Sequence, residues 1–302
     1  MFRGILILAS VVVLASGAPP AGAQAAAGAA VGIRSADSRL HSTREGRVAA
    51  RVPAAFLYQA ERDPILRGED GLLAGLFVLG AVAIAPIDRH FAERLQNPRT
   101  QENRFLRVPA ETFNVVAMPG SLIIGGSIYA YGAIAGDREA AALGLHGTEA
   151  VVLGTLVAGT IKGLAGRARP HVDVTNPRDF ALGRGFGDRR YTSFPSGHAV
   201  AGFAAATVVS RETARWWPGT EWVIAPVMYG GATLVGVSRM YTNFHWASDV
   251  VIGAAIGTLA GVIIDRYHTS RPDNWIDRLF LPGEGPAAAQ PVLLVWSIPM
   301  PR

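Results

Sequence analysis

Six apolar segments, separated by polar stretches that carry Arg, Asp or Pro, limit the fold of this 302-residue chain more than any other feature. Their lengths suit helices, and the strict apolar–polar alternation of a half-buried strand is absent. Paired small residues such as Gly125-Gly126 and Ala254-Ala255 allow helix backbones to approach closely. The pattern predicts an all-α protein with a six-helix bundle. The predicted helices cover residues 72–87, 115–135, 140–161, 199–209, 222–237 and 250–264.

The length of these segments bears on whether they cross a bilayer. A span needs about 20 predominantly apolar residues, and residues 115–135 are both long and uncharged. Several other segments are interrupted earlier, and His146 and Glu149 are costly in lipid unless they face the bundle interior. We read this pair as a buried hydrogen-bonded couple. We expect a membrane-embedded bundle, with a soluble all-helical bundle as the alternative.

Composition narrows the function classes. Half of the residues are apolar, 17% are charged and the mean hydropathy is +0.26, so the chain can bury a core and is not a disordered polyelectrolyte. The formal charge of +5 on so few charged residues favours anionic small substrates or lipid headgroups over nucleic acid. The absence of cysteine excludes disulfides, zinc–thiolate sites and cysteine nucleophiles.

The two ends of the chain differ from the apolar middle. Arg3, an apolar stretch over 5–14 and small residues at 21–23 predict a signal peptide over 1–23 and hence an exported protein, with an uncleaved anchor helix as the alternative. A polar lead-in over 24–70, a helical domain over 71–268 and a tail over 269–302 follow. Within the tail, residues 291–300 are compatible with one short strand.

Three polar blocks at predicted helix ends carry the candidate chemistry. Residues 162–170 read KGLAGRARP at the end of the third helix, and residues 195–198 read PSGH at the start of the fourth. Residues 238–249 read SRMYTNFHWASD at the junction of the fifth and sixth helices. In an antiparallel bundle these three positions lie at the same end, so we expect the blocks to meet.

A cluster of these blocks suits a tetrahedral dianion such as phosphate. Lys162, Arg169 and Arg239 supply permanent positive charge, and guanidinium groups offer forked donors to phosphate oxygens. Ser196 and Ser238 add hydroxyl donors, and the Ser196-Gly197 backbone at a helix N-terminus adds free N–H groups and the positive end of the dipole. Arg167 lies inside the first block, and we expect it at the surface.

Two histidines complete the candidate machinery. His245 and Asp249 are four residues apart, so on a helical turn they share a face and the carboxylate can hold the imidazole tautomer. A neutral imidazole is a competent nucleophile toward phosphorus, and His198 is placed to protonate the leaving oxygen. The scheme needs no metal and no cofactor. His41, His90, His171 and His268 have no evident partner, and we read them as structural or solvent-facing.

The blocks resemble the type 2 phosphatidic acid phosphatase and vanadium haloperoxidase superfamily, whose pattern is K-x6-R-P, P-S-G-H and S-R-x5-H-x3-D. All three parts occur intact and in order, and the resemblance covers residues 71–268 and the six-helix layout. It implies that His245 forms a phosphohistidine, His198 is the general acid and Asp249 orients His245. The phosphoryl-binding residues that it implies are Lys162, Arg169, Ser196, Gly197 and Arg239.

The expected activity is metal-independent hydrolysis of a lipid phosphate or pyrophosphate, of the phosphatidic acid, polyprenyl pyrophosphate or lipid A phosphate type. The polar segment 173–191, with Arg178, Arg184, Arg189 and Arg190, is read as a lid whose arginines meet a headgroup or second phosphate. Alternatives are a soluble exported acid phosphatase of broad specificity, whose substrates include small phosphate esters, a vanadate haloperoxidase and a non-catalytic lipid-binding bundle.

Sequence signals for membrane topology conflict. A cleaved signal peptide followed by six crossings places the blocks in the cytoplasm, and an Arg-rich loop over 89–107 favours the same side by the positive-inside rule. Six-span members of the family place the pocket outward. We expect an extracytoplasmic, periplasmic site, with a soluble periplasmic protein as the alternative.

Overall fold

The structure, a computed structural model, describes residues 64–283, and this part of the chain is helical without strands. Within this range, ten α-helices are joined by short turns, one-turn 3₁₀ helices, a π-helical turn at Val116–Gly120 and one long loop. They are α1 (Gly68–Ile84), α2 (Asp88–Leu95), α3 (Pro98–Glu102), α4 (Arg104–Val115), α5 (Ser121–Ala135), α6 (Arg138–Ala165), α7 (Gly197–Trp216), α8 (Glu221–Tyr241), α9 (Ala247–Ser270) and α10 (Trp275–Phe280).

The predicted all-α fold is confirmed, and the six longest helices of residues 64–283 correspond to the six predicted segments. These are α1 and α5 to α9, of 15 to 28 residues each. Most extend beyond the apolar segment, because polar residues occupy their ends. Helix α6 begins after Asp137, whose side chain accepts a hydrogen bond from the Ala140 N–H at 3.0 Å, and such caps satisfy otherwise unpaired backbone donors.

The stretch 89–107, expected to be a loop, instead forms most of helices α2 to α4. Two asparagines begin new helices inside this polar sequence. The Asn97 side chain accepts from Arg99 N–H at 3.0 Å, and the Asn103 side chain accepts from Phe105 N–H at 2.9 Å. Short polar side chains at helix starts stabilise new helices, and the expectation of a loop did not take these two caps into account.

Helix α7 lies at the centre of the bundle, where it packs against α6, α8 and α9. A cluster of small and branched residues fills the contact: Ala150, Val151, Ala201, Ala204 and Val208. Gly257 on α9 meets α7 so closely that an added Cβ would lie 2.3 Å from the Val200 carbonyl oxygen. The many Ala and Gly residues of the apolar segments therefore allow close helix packing.

The outer surface of the bundle is apolar. Leu76, Leu79, Ile123, Ile134 and Leu156 are all exposed, and an apolar surface facing outward suits lipid rather than water. Within residues 64–283, five helical segments are long and apolar enough to cross a bilayer, which supports a membrane location. They are Gly68–Leu95, Arg104–Ala135, Arg138–Ala165, Glu221–Tyr241 and Ala247–Ser270.

The predicted tail begins inside a helix, because α9 continues to Ser270 and is followed by α10. Asn274 caps α10 by accepting from the Asp277 N–H at 2.9 Å. The predicted lead-in ends in residues 64–70, of which Gly68 already begins α1. The predicted signal peptide over 1–23, the remainder of the lead-in and the strand predicted at 291–300 lie outside the described residues.

Candidate active site

The three polar blocks meet at one end of the bundle, as the helix order predicts. The first block follows the end of α6, the second begins α7, and the third joins α8 to α9. Gly166 ends α6 in the left-handed conformation at φ 54°, and its N–H donates to Lys162 O at 3.2 Å. A Cβ there would lie 2.0 Å from Ala181 O, so glycine is required for the chain to turn toward the site.

Hydrogen bonds to backbone carbonyl groups join the blocks. The Ser196 N–H donates to Asp249 O at 3.0 Å, which connects the second block to the third. The Trp246 indole N–H donates to Ala168 O at 2.9 Å, which connects the third block to the first. These bonds make the site a rigid junction of helix ends, not a set of independent loops.

The blocks surround a cavity of about 530 Å³. Six of the nine residues predicted for the site line it, and they come from all three blocks. These residues are Lys162, Arg169, Gly197, His198, Arg239 and His245. Thus the cavity combines two imidazoles, three cationic side chains and the N-terminal turn of α7.

The three cations have polar neighbours but no counter-ion. Among residues 64–283, none of Lys162, Arg169 and Arg239 forms an ion pair with a carboxylate. Lys162 Nζ donates to the carbonyl oxygens of Thr192, at 3.0 Å, and Pro195. Positive charges gathered in a cavity without carboxylate partners favour the binding of an anion.

Both guanidinium groups keep unused hydrogen-bonding capacity. Arg169 donates to Thr192 Oγ1 at 2.9 Å and Arg239 donates to Asn114 Oδ1, yet the buried Nε of each arginine has no hydrogen-bond partner within the described range 64–283. Burial is the largest cause that lowers the pKa of Arg169, and the positive charge of the nearby Arg189 lowers it further. An anion in the cavity would satisfy donors that are costly to leave unpaired.

Phe244 supports the two arginines. The guanidinium carbons of Arg169 and Arg239 lie 5.0 and 4.6 Å from its ring centroid, within the range of cation–π attraction. The ring thereby positions two cations that repel each other. The prediction did not include Phe244, although it precedes His245 directly, because an aromatic residue beside a histidine carries no specific signal.

His245 lies in the loop between α8 and α9, and not on a helical turn with Asp249 as expected. Its Nδ1 lies 2.6 Å from the Ser193 carbonyl oxygen and 3.7 Å from Asp249 Oδ2. Because a carbonyl only accepts, Nδ1 carries the proton and Nε2 carries the lone pair. Burial lowers the pKa of His245 to about 3, with Lys162 and Arg239 acting the same way and Asp249 opposing them. The imidazole is therefore neutral at physiological pH.

His198 stands in the first turn of α7. Its pKa is lowered to about 3 by burial, with the positive charges of Arg239, Lys162 and Arg169 contributing. A dianion in the cavity would offset these charges and raise the pKa of His198. The side chain is thus able to gain a proton when an anionic group binds.

Arg167, expected at the surface, is buried behind the cavity. It donates to Asp249 Oδ1 at 2.5 Å and to Asp88 Oδ2 at 2.8 Å. Ser193 Oγ donates to Asp249 Oδ2 at 2.5 Å. The surface interpretation is wrong because the two buried carboxylates come from distant parts of the chain. Asp249 is therefore fixed in place but does not line the cavity.

The two predicted serines lie outside the cavity lining. Ser196 Oγ caps α7 by accepting from the Ala199 N–H at 3.4 Å, and its own N–H is bonded to Asp249. Ser238 Oγ donates to Val235 O at 2.7 Å within α8. Ser and Thr hydroxyls commonly bond backward to the helix, which explains why Ser238 is turned away from the cavity.

The loop between α6 and α7, which contains the predicted lid 173–191, covers part of the cavity. Gly185, Phe186, Arg189 and Thr192 line the cavity. Arg184 pairs instead with Asp179 at 2.8 Å and Arg190 pairs with Asp188 at 2.7 Å. Of the four loop arginines, Arg189 is therefore the one in position to meet a bound molecule.

Two histidines at the other end of the bundle have partners that differ from the prediction. His146 bonds to Glu212 and, at 3.2 Å, to Asp277, while the predicted partner Glu149 bonds to His268 at 2.7 Å. The predicted His146–Glu149 couple is thus wrong, and His268 does have partners. Each contact joins residues far apart in sequence, which the spacing within α6 did not reveal.

The fold and the cavity together define a membrane-type helical bundle with a cationic, histidine-containing pocket at one end. The sequence model of the PAP2 superfamily matches residues 144–273, which contain all three blocks. The match covers the part of the chain that carries the cavity.

Curated relatives match a limited part of the chain. A lipid A 1-phosphatase from Porphyromonas gingivalis is 44% identical over 69 residues, which is 23% of this chain and 15% of the relative. A decaprenylphosphoryl-5-phosphoribose phosphatase from Mycobacterium tuberculosis is 35% identical over 79 residues, or 26% of this chain and 39% of the relative. The matches thus span well under half the length of these relatives.

Among solved structures, a transmembrane PAP2-type phosphatidylglycerolphosphate phosphatase from Bacillus subtilis is similar to this chain. The TM-score is 0.47 at 20% sequence identity, and the similarity covers 66% of this chain and 96% of that one.

Proposed function

We propose that this protein is a phosphatase that hydrolyses a phosphate or diphosphate ester of a lipid through a phosphohistidine intermediate. The observation that carries the proposal is the cavity in which two imidazoles lie beside three cations, none of which forms an ion pair with a carboxylate of residues 64–283. Charge on the phosphoryl oxygens is met by side chains of the protein, and no metal ion is required for that role.

His245 is the proposed nucleophile. The hydrogen bond from Nδ1–H to Ser193 O leaves the Nε2 lone pair free. Attack forms a bond between Nε2 and phosphorus while the bond from phosphorus to the lipid oxygen breaks. His198 gives its proton to the departing oxygen, so the lipid leaves as an alcohol, or as a phosphate ester when the substrate is a diphosphate.

The second half of the reaction reverses the proton transfer. A water molecule attacks the phosphohistidine, His198 accepts its proton and the bond between phosphorus and Nε2 breaks. Inorganic phosphate leaves, and both imidazoles return to their starting states. In both steps the three equatorial phosphoryl oxygens are stabilised by Lys162, Arg169, Arg239 and the N-terminal backbone of α7. Hydrogen-bond donors stabilise developing negative charge most strongly when the folded site already holds them in position.

The expected substrate class is a phosphorylated lipid. The similar curated proteins are named for phosphatase activity on lipid A and on a decaprenyl-linked sugar phosphate. The five candidate spans favour a membrane enzyme over the soluble acid phosphatase considered above. A cavity that opens beside lipid would receive the phosphorylated end of such a molecule while the acyl or prenyl chain stays in the bilayer.

The cavity is proposed to face the extracytoplasmic side, as the pocket does in the six-span members of the family that the three blocks resemble. Helices α2 to α4 lie at the cavity end and carry several arginines, which by the positive-inside rule favour the opposite side. A reporter fused after Arg190 separates the two orientations: alkaline phosphatase activity supports the proposal, and fluorescence of a cytoplasmic reporter overturns the assigned side.

Phosphate release by the detergent-purified protein tests the function. A panel of phosphatidic acid, prenyl diphosphate, lipid A and a soluble aryl phosphate is assayed in the presence of a chelator. We expect His245→Ala to lower kcat by about 10⁴-fold or more, because it removes the nucleophile. His90→Ala, on the exposed face of α2, is the matched control with full activity. A His245→Ala enzyme within tenfold of wild type would refute the assignment.

A further inference from the structure

A second group of titratable side chains lies at the end of the bundle opposite the cavity. His146 on α6, Glu212 on α7, His268 on α9 and Asp277 on α10 are all buried and in contact. Because His146 precedes Lys162 by 16 residues on one helix, the group lies about 24 Å from the cavity. The proposed phosphatase reaction does not use it.

Three of these side chains direct one atom each toward a common point. Asp277 Oδ1 lies 3.2 Å from His146 Nε2 and 2.8 Å from His268 Nδ1. The three atoms lie within 4.8 Å of one another, and the two imidazole rings are stacked with centroids 3.7 Å apart. Ligand atoms of a tetrahedral zinc ion, with bonds of about 2.0–2.1 Å, stand about 3.3 Å apart. The spacing therefore suits a small metal ion.

The outer nitrogen of each ring is already bonded to a carboxylate. His146 Nδ1 bonds to Glu212, and His268 Nε2 bonds to Glu149 Oε2 at 2.7 Å. A neutral imidazole has one N–H, and these carboxylates require it on the outer nitrogen. The inner nitrogens then direct lone pairs at the Asp277 carboxylate. A pair of carboxylate-anchored histidines with inward lone pairs is the arrangement of metal-binding histidines.

Asn274 holds the Asp277 carboxylate beside the histidines. Its Oδ1 accepts from the Asp277 N–H at 2.9 Å, and its Nδ2 donates to Asp277 Oδ2 at 2.7 Å and to Arg271 O at 2.8 Å. These two bonds use both hydrogens of the amide. The inward lone pair of His268 Nδ1, which lies 3.3 Å from Asn274 Nδ2, is therefore left for a metal ion.

The charges of the cluster also favour a bound cation. With neutral imidazoles, Glu149, Glu212 and Asp277 bring three negative charges, and the Arg215 guanidinium lies 3.9 Å from Glu212. Glu212 Oε2, although fully buried, has no hydrogen-bond partner among residues 64–283. Buried carboxylates are costly unless paired or close to a cation, and a divalent ion supplies the missing positive charge.

We propose that His146, His268 and Asp277 bind one divalent transition-metal ion of the zinc class, with Glu212 and Glu149 holding the two histidines. Imidazole and carboxylate ligands suit such ions. The site fastens the short helix α10 to α6, α7 and α9, and thereby closes the end of the bundle far from the cavity. It is a structural site, and the proposal stands whether or not the cavity hydrolyses phosphate esters.

Metal content tests the proposal directly. Full-length protein in detergent is loaded with zinc sulfate, passed through gel filtration and analysed by elemental mass spectrometry. We expect about one zinc ion per chain in the wild type and in the control His90→Gln. Asp277→Asn and His146→Gln lose the ion, and Glu212→Gln binds it about 10–100-fold more weakly because it affects only the support of a ligand.

Wild-type measurements keep the test decisive if a variant fails to fold. Zinc addition after chelation is expected to raise the Tm of the wild type, and cobalt(II) is expected to give the visible absorption of a tetrahedral ion. If wild-type protein retains no stoichiometric zinc and its Tm is unchanged by zinc and chelator, the cluster is a buried network of imidazolium and carboxylate groups and the proposal is overturned.

Discussion

The two ends of the helical bundle are chemical opposites built from the same helices. At the cavity end, Lys162, Arg169 and Arg239 gather positive charge, and no carboxylate of the described part of the chain forms an ion pair with them. At the far end, His146 and His268 are surrounded by carboxylates. The cavity therefore has positive charge in excess, whereas the far end has negative charge in excess.

The difference shows how buried charge indicates a ligand. A protein seldom buries like charges together unless something of opposite charge accompanies them. The cavity end also receives the N-terminus of α7, whose dipole adds to the positive potential. Buried charges that lack an opposite charge therefore indicate a ligand site at each end more strongly than the identity of any one residue does.

Removal of Arg167 should have the largest effect on stability. It is the partner of both Asp88 and Asp249, so Arg167→Ala leaves two buried carboxylates at the cavity end without their cation. We expect a loss of about 3–5 kcal/mol in the free energy of unfolding, measured by chemical denaturation in detergent. Arg190→Ala removes an exposed pair with Asp188 and is expected to change nothing measurable. Equal stability of the two variants would contradict the role of Arg167.

Loss of one cavity cation should slow catalysis next most strongly. Arg239→Gln removes a charged donor, and we expect kcat/KM to fall about 10²–10³-fold, as for one preorganised donor in comparable sites. The matched control is Arg178→Gln in the exposed part of the loop, with unchanged kcat/KM. If Arg239→Gln keeps wild-type kcat/KM, the cavity is not the phosphoryl site.

Anion binding should raise the pKa of His198. Its pKa is lowered to about 3 by burial and by Arg239, Lys162 and Arg169, and a bound dianion offsets these charges. We expect an increase of roughly one to three pH units with phosphate or vanadate. Histidine ¹⁵N chemical shifts recorded with and without the anion measure it. A pKa that stays constant or falls would remove His198 from the site.

Ser238→Ala should have the smallest effect. The hydroxyl donates to Val235 O within α8 and does not line the cavity. We expect the free energy of unfolding to fall by about 0.5–1.5 kcal/mol, with kcat/KM unchanged. A decrease in kcat/KM comparable to that of Arg239→Gln would show that the hydroxyl reaches the phosphoryl group.

Sequence predicts much of the cavity, because helix order alone brings the three blocks to one end. Lys162, Arg169, His198, Arg239 and His245 all line the cavity that their positions predict. The helix bounds are less accurate in the polar stretch 89–107, where the side chains of Asn97 and Asn103 begin helices that no long apolar segment announces.

Long-range partners were beyond sequence reasoning. Arg167 was expected at the surface, since nothing near it in sequence reveals Asp88, 79 residues away. His146 was paired with Glu149 on helical spacing, whereas its partners are Glu212 and Asp277 on other helices. Such contacts follow from how helices pack, and helical periodicity carries no information about them.

Trapping of a phosphorylated enzyme tests the central claim most directly. Purified protein is mixed with a ³²P-labelled lipid phosphate, quenched in alkali within one turnover and digested. The account predicts alkali-stable, acid-labile label on the peptide that contains His245, and no label in His245→Ala. An enzyme that turns over normally without labelled histidine, and with inversion of configuration at phosphorus, would show direct attack by water and contradict imidazole attack.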